Sequence, residues 1–485
     1  MRDMVLILNF SEGSSRDIAR SLRAEQICCK IVADSISLEE IDAQRPRGLI
    51  LSGSVAGRML SGLDSRILDS GIPVLALGDA ADMLCRELGG DALETAISNS
   101  IGAVRFRDSA LTEQLDDCER MLYNVRRLRL PESAVTLAES MQESVGFMMT
   151  DRPAYGIQFT LEQNDTDGMQ LLMNFVLKVC GCTRWWSHDA FIDRAVEEIR
   201  RVVGEGRAAC AMTGGLDSCV SAMLAHKALG KRLQGIFIDT GLLRENEAAR
   251  FLSLYRDQLG LEIMHVQAQD RFLEALKGVV DFAEKSRIIG ETLQKTLDEA
   301  LESLGEVNMI VRATTCNDVL KGMDYKKRPS LKAKVPVIEP LRELFKSDVR
   351  AVGEALQMPE ETIHGQSFPG SGLALRVLGE VTPARLQTLR AVDKIFTEEI
   401  TASGQGKRLK QHFAVISPIV GDETRAMIVL RAVQTSESLQ PVYAARLPYD
   451  LLERTMDRIC RARPEVTRVV YDITPSNRNA GVEWQ

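Results

Sequence analysis

The segment Thr213-Gly214-Gly215-Leu216-Asp217-Ser218 carries the residue types best suited to binding phosphate. The apolar stretch AACAM precedes it and the pattern CVSAMLAHKAL follows, which predicts a strand, a tight turn and a helix. Two adjacent glycines let the backbone turn sharply and present N–H groups to an anion, and the start of a helix adds partial positive charge. The flanking hydroxyl groups supply further donors, so the segment predicts a polyphosphate-binding loop.

Asp217 is the residue in this loop that a bare phosphate would repel. Its carboxylate fits if a Mg²⁺ ion lies between it and the phosphate oxygens. The loop does not match GxxxxGK[ST], which disfavours a simple γ-phosphate transfer site. The alternative is structural: a tight strand-to-helix turn in which Ser218 or Asp217 caps the helix.

A second strand-to-helix turn lies in GIPVLALGDAAD, residues 71–82. An apolar run ends at Leu77, and a helical pattern follows Gly78-Asp79. Such a turn exposes one side chain at the end of a sheet and is a favoured position for a nucleophile. Here it offers Gly, Asp, Ala and Ala, which include no Ser or Cys.

Apolar runs predict three successive units. In residues 1–185, strands alternate with helical segments, as is typical of a parallel sheet covered on both faces; the predicted strands are VLILNF, KIVAD, GLILSG, IPVLAL and YGIQF. A second such unit follows an amphipathic helix at 185–204, with predicted strands AACAM, QGIFID, EIMHV and NMIVRA. After about residue 380, FAVISPI, MIVLRAV and RVVYDIT with the helix LPYDLLERTMDRICRA indicate an α+β module.

Composition narrows the class of protein. The 485 residues, 45% hydrophobic and 26% charged, are typical of a soluble globular chain of about three domains. The net charge of −8 argues against general nucleic-acid binding, and no apolar run reaches the ~20 residues of a membrane span. The ten cysteines form no CxxC pair or zinc-type Cys/His cluster. We therefore expect a cytoplasmic protein with reduced thiols and without nucleic-acid or membrane partners.

The loop at 213–218 resembles SGGxDS, the pyrophosphate loop of the N-type ATP pyrophosphatases, with Thr213 replacing the first Ser. Across residues 175–485 the chain resembles GMP synthetases in the order and spacing of further segments: GIFIDTGLLRENEA, HVQAQDRFLEALKGV, RIIGETL, VIEPLRELFKSDVRAVGEAL, FPGSGLALRVLGEVT, ARLPYDLLERTMDRI and RVVYDIT. NFVLKVCGCTRWW resembles that family's domain junction, and GLILSGSVAG resembles its glutamine amidotransferase domain.

The resemblance implies an α/β fold with two doubly wound parallel-sheet domains and a small α+β domain. A class I glutamine amidotransferase-like domain would span 1–187, a PP-loop ATP pyrophosphatase domain 188–380, and a dimerisation and substrate-binding domain 381–485. Family members use ATP and Mg²⁺ to adenylate a carbonyl oxygen of a purine nucleotide, and a nitrogen nucleophile then displaces AMP. A homodimer is expected from the same resemblance.

The resemblance also implies site residues. The ATP and pyrophosphate site would comprise Thr213, Gly214, Gly215, Leu216, Asp217, Ser218 and Asp239, with Asp217 and Ser218 catalytic and Asp217 binding Mg²⁺. The substrate site would comprise Arg287, Arg312, Arg376, Gln411 and Glu483. Asp239 could equally be a turn residue, and each of the substrate residues could be a surface group.

The glutaminase site that the resemblance implies is dismantled here. In the family a Cys at the strand-to-helix turn attacks glutamine, a His in a QFHPE-like stretch acts as its base, and a Glu orients the His. Gly78 stands at the Cys position and Thr160 at the His position, while Glu162 is retained. The five histidines are residues 188, 226, 265, 364 and 412, so residues 1–187 contain none. Cys85, seven residues into the helix, is interpreted as a core residue.

Departures from the family cluster around the nucleotide substrate. The lysine and double-histidine lid motif expected at 322–338 is replaced by the shorter KKRPSLKAK, which could be a solvated loop or a flap over phosphate. ISPIVGDETR lacks part of a stretch that contacts xanthosine monophosphate, and PSNRNAG replaces a lysine-diproline stretch, where Arg478 could restore charge. Arg312 stands where the family has the Gln of a QGT triplet. The adenylation chemistry is therefore expected to persist, while the carbonyl substrate stays open.

Three functions stay open at this point. The chain could be an ammonia-using ligase, with the first domain as a scaffold or as a dock for a separate nitrogen donor. It could insert sulfur after the same adenylation step, with Cys219 or Cys316 as the thiol. It could also be a non-catalytic pseudo-synthetase that binds nucleotide and regulates a partner.

Overall fold

The computed structural model describes residues 3–10, 12–53, 63–95, 100–159, 165–324, 335–366, 370–419, 422–434 and 443–475. The chain divides into two compact units: unit 1 comprises residues 1–193 and 316–328, and unit 2 comprises 194–315 and 329–485. Unit 2 holds most of the residues predicted as the second and third domains, and the boundary between those two domains stays a prediction.

Strands and helices follow one another as the apolar patterns indicate. The strands are β1 (Val5–Asn9), β2 (Cys29–Ala33), β3 (Gly48–Ser52), β4 (Val74–Leu77), β5 (Asp91–Leu93), β6 (Ser100–Phe106), β7 (Cys118–Leu122), β8 (Arg127–Arg129), β9 (Ala134–Ser140), β10 (Glu143–Met149), β11 (Ala154–Ile157), β12 (Ala208–Met212), β13 (Leu233–Asp239), β14 (Ile263–Gln267), β15 (Met309–Val311), β16 (Val337–Ile338), β17 (Leu409–Ile419), β18 (Asp422–Gln434) and β19 (Val466–Tyr471). The α-helices are α1 (Glu12–Ala24), α2 (Leu38–Gln44), α3 (Asp79–Glu87), α4 (Thr166–Met173), α5 (His188–Val203), α6 (Leu216–Leu229), α7 (Glu247–Leu252), α8 (Gln269–Ala275), α9 (Phe282–Ser303), α10 (Cys316–Asp324), α11 (Lys346–Ala355), α12 (Glu360–Ile363), α13 (Pro383–Ala402) and α14 (Tyr449–Ala462).

Unit 1 contains a nine-stranded sheet in the order β2-β1-β3-β4-β11-β10-β9-β6-β7. The first five strands are parallel, and they coincide with the five strands predicted from apolar runs. The remaining four extend the sheet in antiparallel fashion, and the sequence pattern does not predict them. Strands β5 and β8 form a separate antiparallel pair.

The main sheet of unit 2 is parallel throughout, in the order β14-β13-β12-β15-β16. From β12 the chain proceeds to β13 and β14 on one side and later to β15 and β16 on the other. Connections that leave neighbouring strands in opposite directions open a crevice at the carboxyl edge of a sheet, where ligands bind in such folds. The α/β class predicted from the sequence is confirmed, and the loop at 213–218 lies at this reversal point.

A three-stranded sheet, β17-β18-β19, closes unit 2. Strands β17 and β18 are antiparallel, while β18 and β19 are parallel. Helices α13 and α14 contribute Leu389, Phe396 and Ile459 to a core that also contains Ile428 and Leu430 of β18. None of the helices in the described part of the chain has the length and apolarity needed to cross a membrane.

Candidate functional site

The loop between β12 and α6 has the geometry of an anion-binding turn. Gly214 has φ +78°, a conformation that favours glycine, and Gly215 precedes the helix without a side chain to cap it. Ser218 Oγ donates to Gly215 O (2.8 Å) and accepts from the Thr213 N–H (3.2 Å). Ser218 thus fixes the loop internally, and the start of α6 is open to an anionic ligand.

Lys346 lies opposite this loop and was not identified from the sequence. Its Nζ is 2.7 Å from Asp217 Oδ1, and both side chains are about one-third exposed. Lys346 is the first residue of α11, an unfavourable position for a cation because of the helix dipole. A lysine at a helix start could therefore have indicated a role other than helix stability.

The Asp217 environment fits a magnesium site. Among the described residues, no group of three or more His, Cys, Asp or Glu side chains could hold a metal by itself. Mg²⁺ at phosphate sites is usually held by one or two carboxylates, water and the phosphate oxygens. The single, partly exposed Asp217 carboxylate beside an open helix start is consistent with that donor set.

Asp239 ends β13, the neighbour of β12, and is 8% exposed. Its Oδ1 accepts from Gly241 N (2.9 Å), and its Oδ2 accepts from Gln269 Nε2 (2.8 Å). Asp239 therefore organises the turn after its strand, in agreement with the structural alternative, and lies at the edge where the loop after β12 begins.

Arg312 follows β15, on the other side of β12. Its guanidinium lies 3.7 Å from Glu339 Oε1, which also accepts from Thr314 Oγ1 at 2.6 Å. Glu339 immediately follows β16 and also pairs with Arg342. The positive charge of Arg312 is thus partly balanced within the same edge of the sheet.

Arg376 and Gln411 are buried rather than surface groups. Arg376 is 3% exposed at the end of a short 3₁₀ helix, Gly372–Arg376, and its guanidinium carbon is 4.7 Å from the centre of the Phe413 ring. Gln411 is 7% exposed and lies two residues before Phe413 on β17, so both side chains project to the same face. The structure brings these two predicted substrate residues into one region.

The other predicted substrate residues are not brought there. Arg287 is about half exposed on α9 and pairs with Glu284 and Glu291 of its own helix, as expected for a surface group. Glu483, Arg478 and most of the segment 326–336 lie outside the described residues.

Gly78 forms a sharp turn between β4 and α3. Its backbone has φ 63° and ψ −135°, a region that residues with a side chain rarely adopt. Its N–H donates to Ile157 O at 2.9 Å, which joins the turn to the end of β11. The predicted strand-to-helix turn is therefore present with glycine at its apex, while Thr160 and Glu162 lie outside the described residues.

Cys85 cannot replace a nucleophile at this turn. It is fully buried, and burial raises the pKa of its thiol to about 11. Its Sγ lies 3.7 Å from the carbonyl oxygens of Asp91 and Arg129. A thiol that is buried and protonated at neutral pH is a core group, as the sequence predicts.

Asp82 is an unusual buried acid one turn into α3. It is 4% exposed, and burial raises its pKa to about 6, against the opposing effect of a 2.5 Å hydrogen bond from Gln158 Nε2. Arg126 lies 3.4 Å away. The ionised form of Asp82 is therefore less favourable in the folded state than in water.

Asp82→Asn is expected to stabilise unit 1 at pH 8 by about 2 to 3 kcal/mol. At pH 8 the native carboxyl is ionised although it is buried, which lowers the free energy of unfolding, whereas the amide is neutral at every pH. Because the folded-state pKa of Asp82 is raised, the native protein gains stability as the pH falls through 6 towards 4. The difference in the free energy of unfolding between Asp82→Asn and the native chain therefore disappears over this range. Urea midpoints from the fluorescence of Trp185 and Trp186, in a Trp484→Phe background, would measure this. A variant less stable than the native chain at pH 8 would contradict it.

The two cysteines considered for sulfur transfer are both buried. Cys219 is fully buried, and burial raises the pKa of its thiol to about 11. Cys316 is 4% exposed. Desolvation outweighs the favourable position of Cys219 near the start of α6, so Cys219 is a core residue and not an activated thiol.

Comparison with known proteins matches both ends of the chain to described families. Residues 6–179 match Glutamine amidotransferase class-I, and residues 398–484 match GMP synthase C terminal domain. Similar proteins named GMP synthase [glutamine-hydrolyzing] occur in Caldicellulosiruptor saccharolyticus (35% identical over 512 residues, 100% of this chain and 99% of the relative) and Symbiobacterium thermophilum (36% over 513, 100% and 99%). That of Clostridium acetobutylicum is 35% identical over 511 residues, covering all of both chains.

Proposed function

This chain belongs to the GMP synthase family, and from that premise we propose that it is an ATP-dependent ligase acting on XMP or an analogous purine nucleotide. The substrate carbonyl oxygen attacks the α-phosphorus of ATP, the bond to the β-phosphate breaks, and pyrophosphate leaves. Ammonia then attacks the activated carbon, and AMP leaves with the former carbonyl oxygen. The arrangement of Asp217 and Lys346 around an open helix start, at the reversal point of a parallel sheet, is the observation that carries this proposal.

Different residues in and near the loop bind different parts of ATP. The N–H groups at the start of α6 and the Thr213 hydroxyl bind the β- and γ-phosphates, and Lys346 exchanges its bond to Asp217 for one to phosphate. Bound to Asp217, Mg²⁺ would neutralise charge on the departing pyrophosphate. Ser218 acts through the loop, because its hydroxyl is engaged with Gly215 O.

We further propose that the nitrogen comes from free ammonia or a separate donor. The curated relatives are named glutamine-hydrolysing, but this chain has Gly78 at the strand-to-helix turn and no histidine in residues 1–187. Unit 1 would then serve as a scaffold or as a dock for a nitrogen source. Sulfur insertion is less well supported, because Cys219 and Cys316 are buried.

A homodimer is part of the proposal. The region matched by the family's C-terminal domain exposes several large apolar side chains: Tyr443, Tyr449, Met456, Val470 and Ile473. A subunit interface would cover exposed apolar side chains of this kind. Sedimentation velocity would test this assembly.

One assay tests the reaction. Purified protein, ATP and Mg²⁺ would be combined with XMP, IMP or GMP and with ammonium, glutamine or sulfide, and pyrophosphate, AMP and the nucleotide product would be measured. Pyrophosphate and an aminated nucleotide with ammonium but not glutamine would support the proposal. Turnover with sulfide alone would favour sulfur insertion, and no pyrophosphate with any combination would favour a non-catalytic protein.

Lys346→Met is expected to lower the rate of pyrophosphate release about 10- to 100-fold and to raise the KM for ATP. The variant loses a charge-assisted contact to the phosphates, while Lys346→Arg keeps the charge and is expected to retain part of the activity. Lys277→Met is the matched control, since Lys277 is 71% exposed and 3.8 Å from Glu274. Unchanged kinetics in Lys346→Met would remove Lys346 from the site.

A further inference from the structure

The carboxylate of Asp393 is a junction between three segments distant in sequence. Asp393 lies on α13 and is 3% exposed. Its Oδ1 is 3.4 Å from Arg376 Nη1 and 3.4 Å from Ala414 N, and its Oδ2 is 3.2 Å from Arg244 Nε. One buried carboxylate therefore contacts all three segments.

Each of these segments contains or follows a residue that the family resemblance places at the ATP or substrate site. Arg244 belongs to the loop that follows Asp239 at the end of β13. Arg376 is itself a proposed substrate residue, and Ala414 lies on β17 with Gln411. Asp393 thus joins the loop on the ATP side to both buried residues on the substrate side.

A second residue of α13 fixes the same loop. Arg390 lies about one turn before Asp393, and its guanidinium donates to Leu243 O at 2.9 Å and to Gly241 O. On the other side, Leu373 N donates to Leu242 O at 2.7 Å. The loop after Asp239 is therefore held between α13 and the segment that ends at Arg376.

The electrostatics make Asp393 hard to replace. The Arg376 and Asp393 side chains are each 4% exposed, so their attraction is little screened by solvent. Burial lowers the pKa of nearby His412 to about 4, which leaves that imidazole neutral at pH 7. Without the carboxylate, two guanidinium groups would share the region without their common anion.

We propose that Asp393 is a positioning residue that orients Arg376 towards the nucleotide substrate and couples it to the ATP-side loop through Arg244. The inference rests on the proposed function, which gives Arg376 its substrate. It predicts that binding of the purine nucleotide and binding of ATP depend on each other through this carboxylate. Asp393 itself need not touch either ligand.

Asp393→Asn tests the proposal, because it removes the charge and keeps the shape. We expect the KM for XMP to rise about 10- to 100-fold, the size of a lost charge-assisted hydrogen bond, with kcat at saturation within about threefold of the native value. The effect of XMP on the KM for ATP should also disappear. Glu398→Gln on the same helix is the control, since Glu398 pairs with Arg458 at the surface and should leave all constants unchanged.

Two further variants separate positioning from folding. Arg244→Met leaves the contact between Asp393 and Arg376 intact and should raise the KM for ATP more than that for XMP. The KM for ATP should be closer to the native value in Arg390→Lys than in Arg390→Met. If Asp393→Asn does not fold, the Arg244 variant still decides the coupling. Native turnover with unchanged KM values in Asp393→Asn and Arg244→Met would overturn this inference alone, whereas a native chain without turnover would overturn the proposed function and this inference with it.

Discussion

Asp217→Asn is expected to reduce ATP-dependent pyrophosphate release by about 10³-fold at saturating substrates. The amide keeps the size of the side chain but loses the charge that binds a divalent cation. It also leaves Lys346, now 2.7 Å from a carboxylate oxygen, beside a neutral group. We expect the activity to recover only partly at high Mg²⁺ concentration, because affinity for the ion and its position both change. Pyrophosphate release as a function of Mg²⁺ would measure the effect.

The control for Asp217→Asn is Asp270→Asn, which removes one acidic charge from the first turn of α8 in the same unit. It should keep the native rate and the native Mg²⁺ dependence. Binding of ATP without Mg²⁺ should be at least as tight in Asp217→Asn as in the native chain, because the variant lacks the carboxylate that repels bare phosphate. An Asp217 variant with native turnover would rule out the magnesium assignment and leave a structural role, the ion pair with Lys346 in the first turn of α6; capping of the helix by Asp217, the alternative considered from sequence, does not occur because Gly215 is the N-cap residue.

The loop at 213–218 could be predicted from sequence because its determinants are local. Two glycines between an apolar strand and a helix specify the turn almost regardless of the rest of the fold. Lys346 could not be found in the same way, since 129 residues separate it from Asp217. Their contact depends on the order of strands in the sheet, which no short segment encodes.

The strands show a similar division. β1 and β3 are buried on both faces, so they appear in the sequence as continuous apolar runs. β6 instead alternates, with Ile101 66% exposed and Val104 fully buried. Its apolar residues are too few and too spaced to form a run, and for that reason the antiparallel extension of the first sheet escapes prediction.

Arg287 and Arg376 illustrate the limit for site residues. Both are arginines in segments that resemble the same family, yet one is about half exposed and the other is 3% exposed against an aromatic ring. Burial of a guanidinium requires a partner such as Asp393, and that partner comes from a helix packed in three dimensions. The sequence therefore predicts a positively charged side chain, but whether that side chain is buried or exposed depends on the tertiary packing around it.

The native chain is expected to release glutamate from glutamine at a rate about 10⁶-fold below that of an intact Cys–His glutaminase. Other enzymes that lose both nucleophile and base show losses of this size. Gly78 provides no nucleophile, and Cys85 is a buried thiol whose pKa is raised to about 11. Glutamate would be measured with and without ATP and XMP. The Clostridium acetobutylicum relative, named glutamine-hydrolysing and alignable over its full length, is the positive control.

Restoring one group should not restore the site. Gly78→Cys would place a thiol at the apex of the strand-to-helix turn. The backbone conformation there (φ 63°) costs about 1 to 3 kcal/mol for a residue with a side chain. With no histidine in residues 1–187, that thiol lacks a base, so glutamate release should stay at background. Gly78→Cys combined with Thr160→His supplies both the nucleophile and the base of the family pattern, which Glu162 of this sequence completes, and should give the first measurable hydrolysis. Glutamate release by the unaltered chain would contradict the loss of the glutaminase, because the protein would then be using groups other than a cysteine and a histidine.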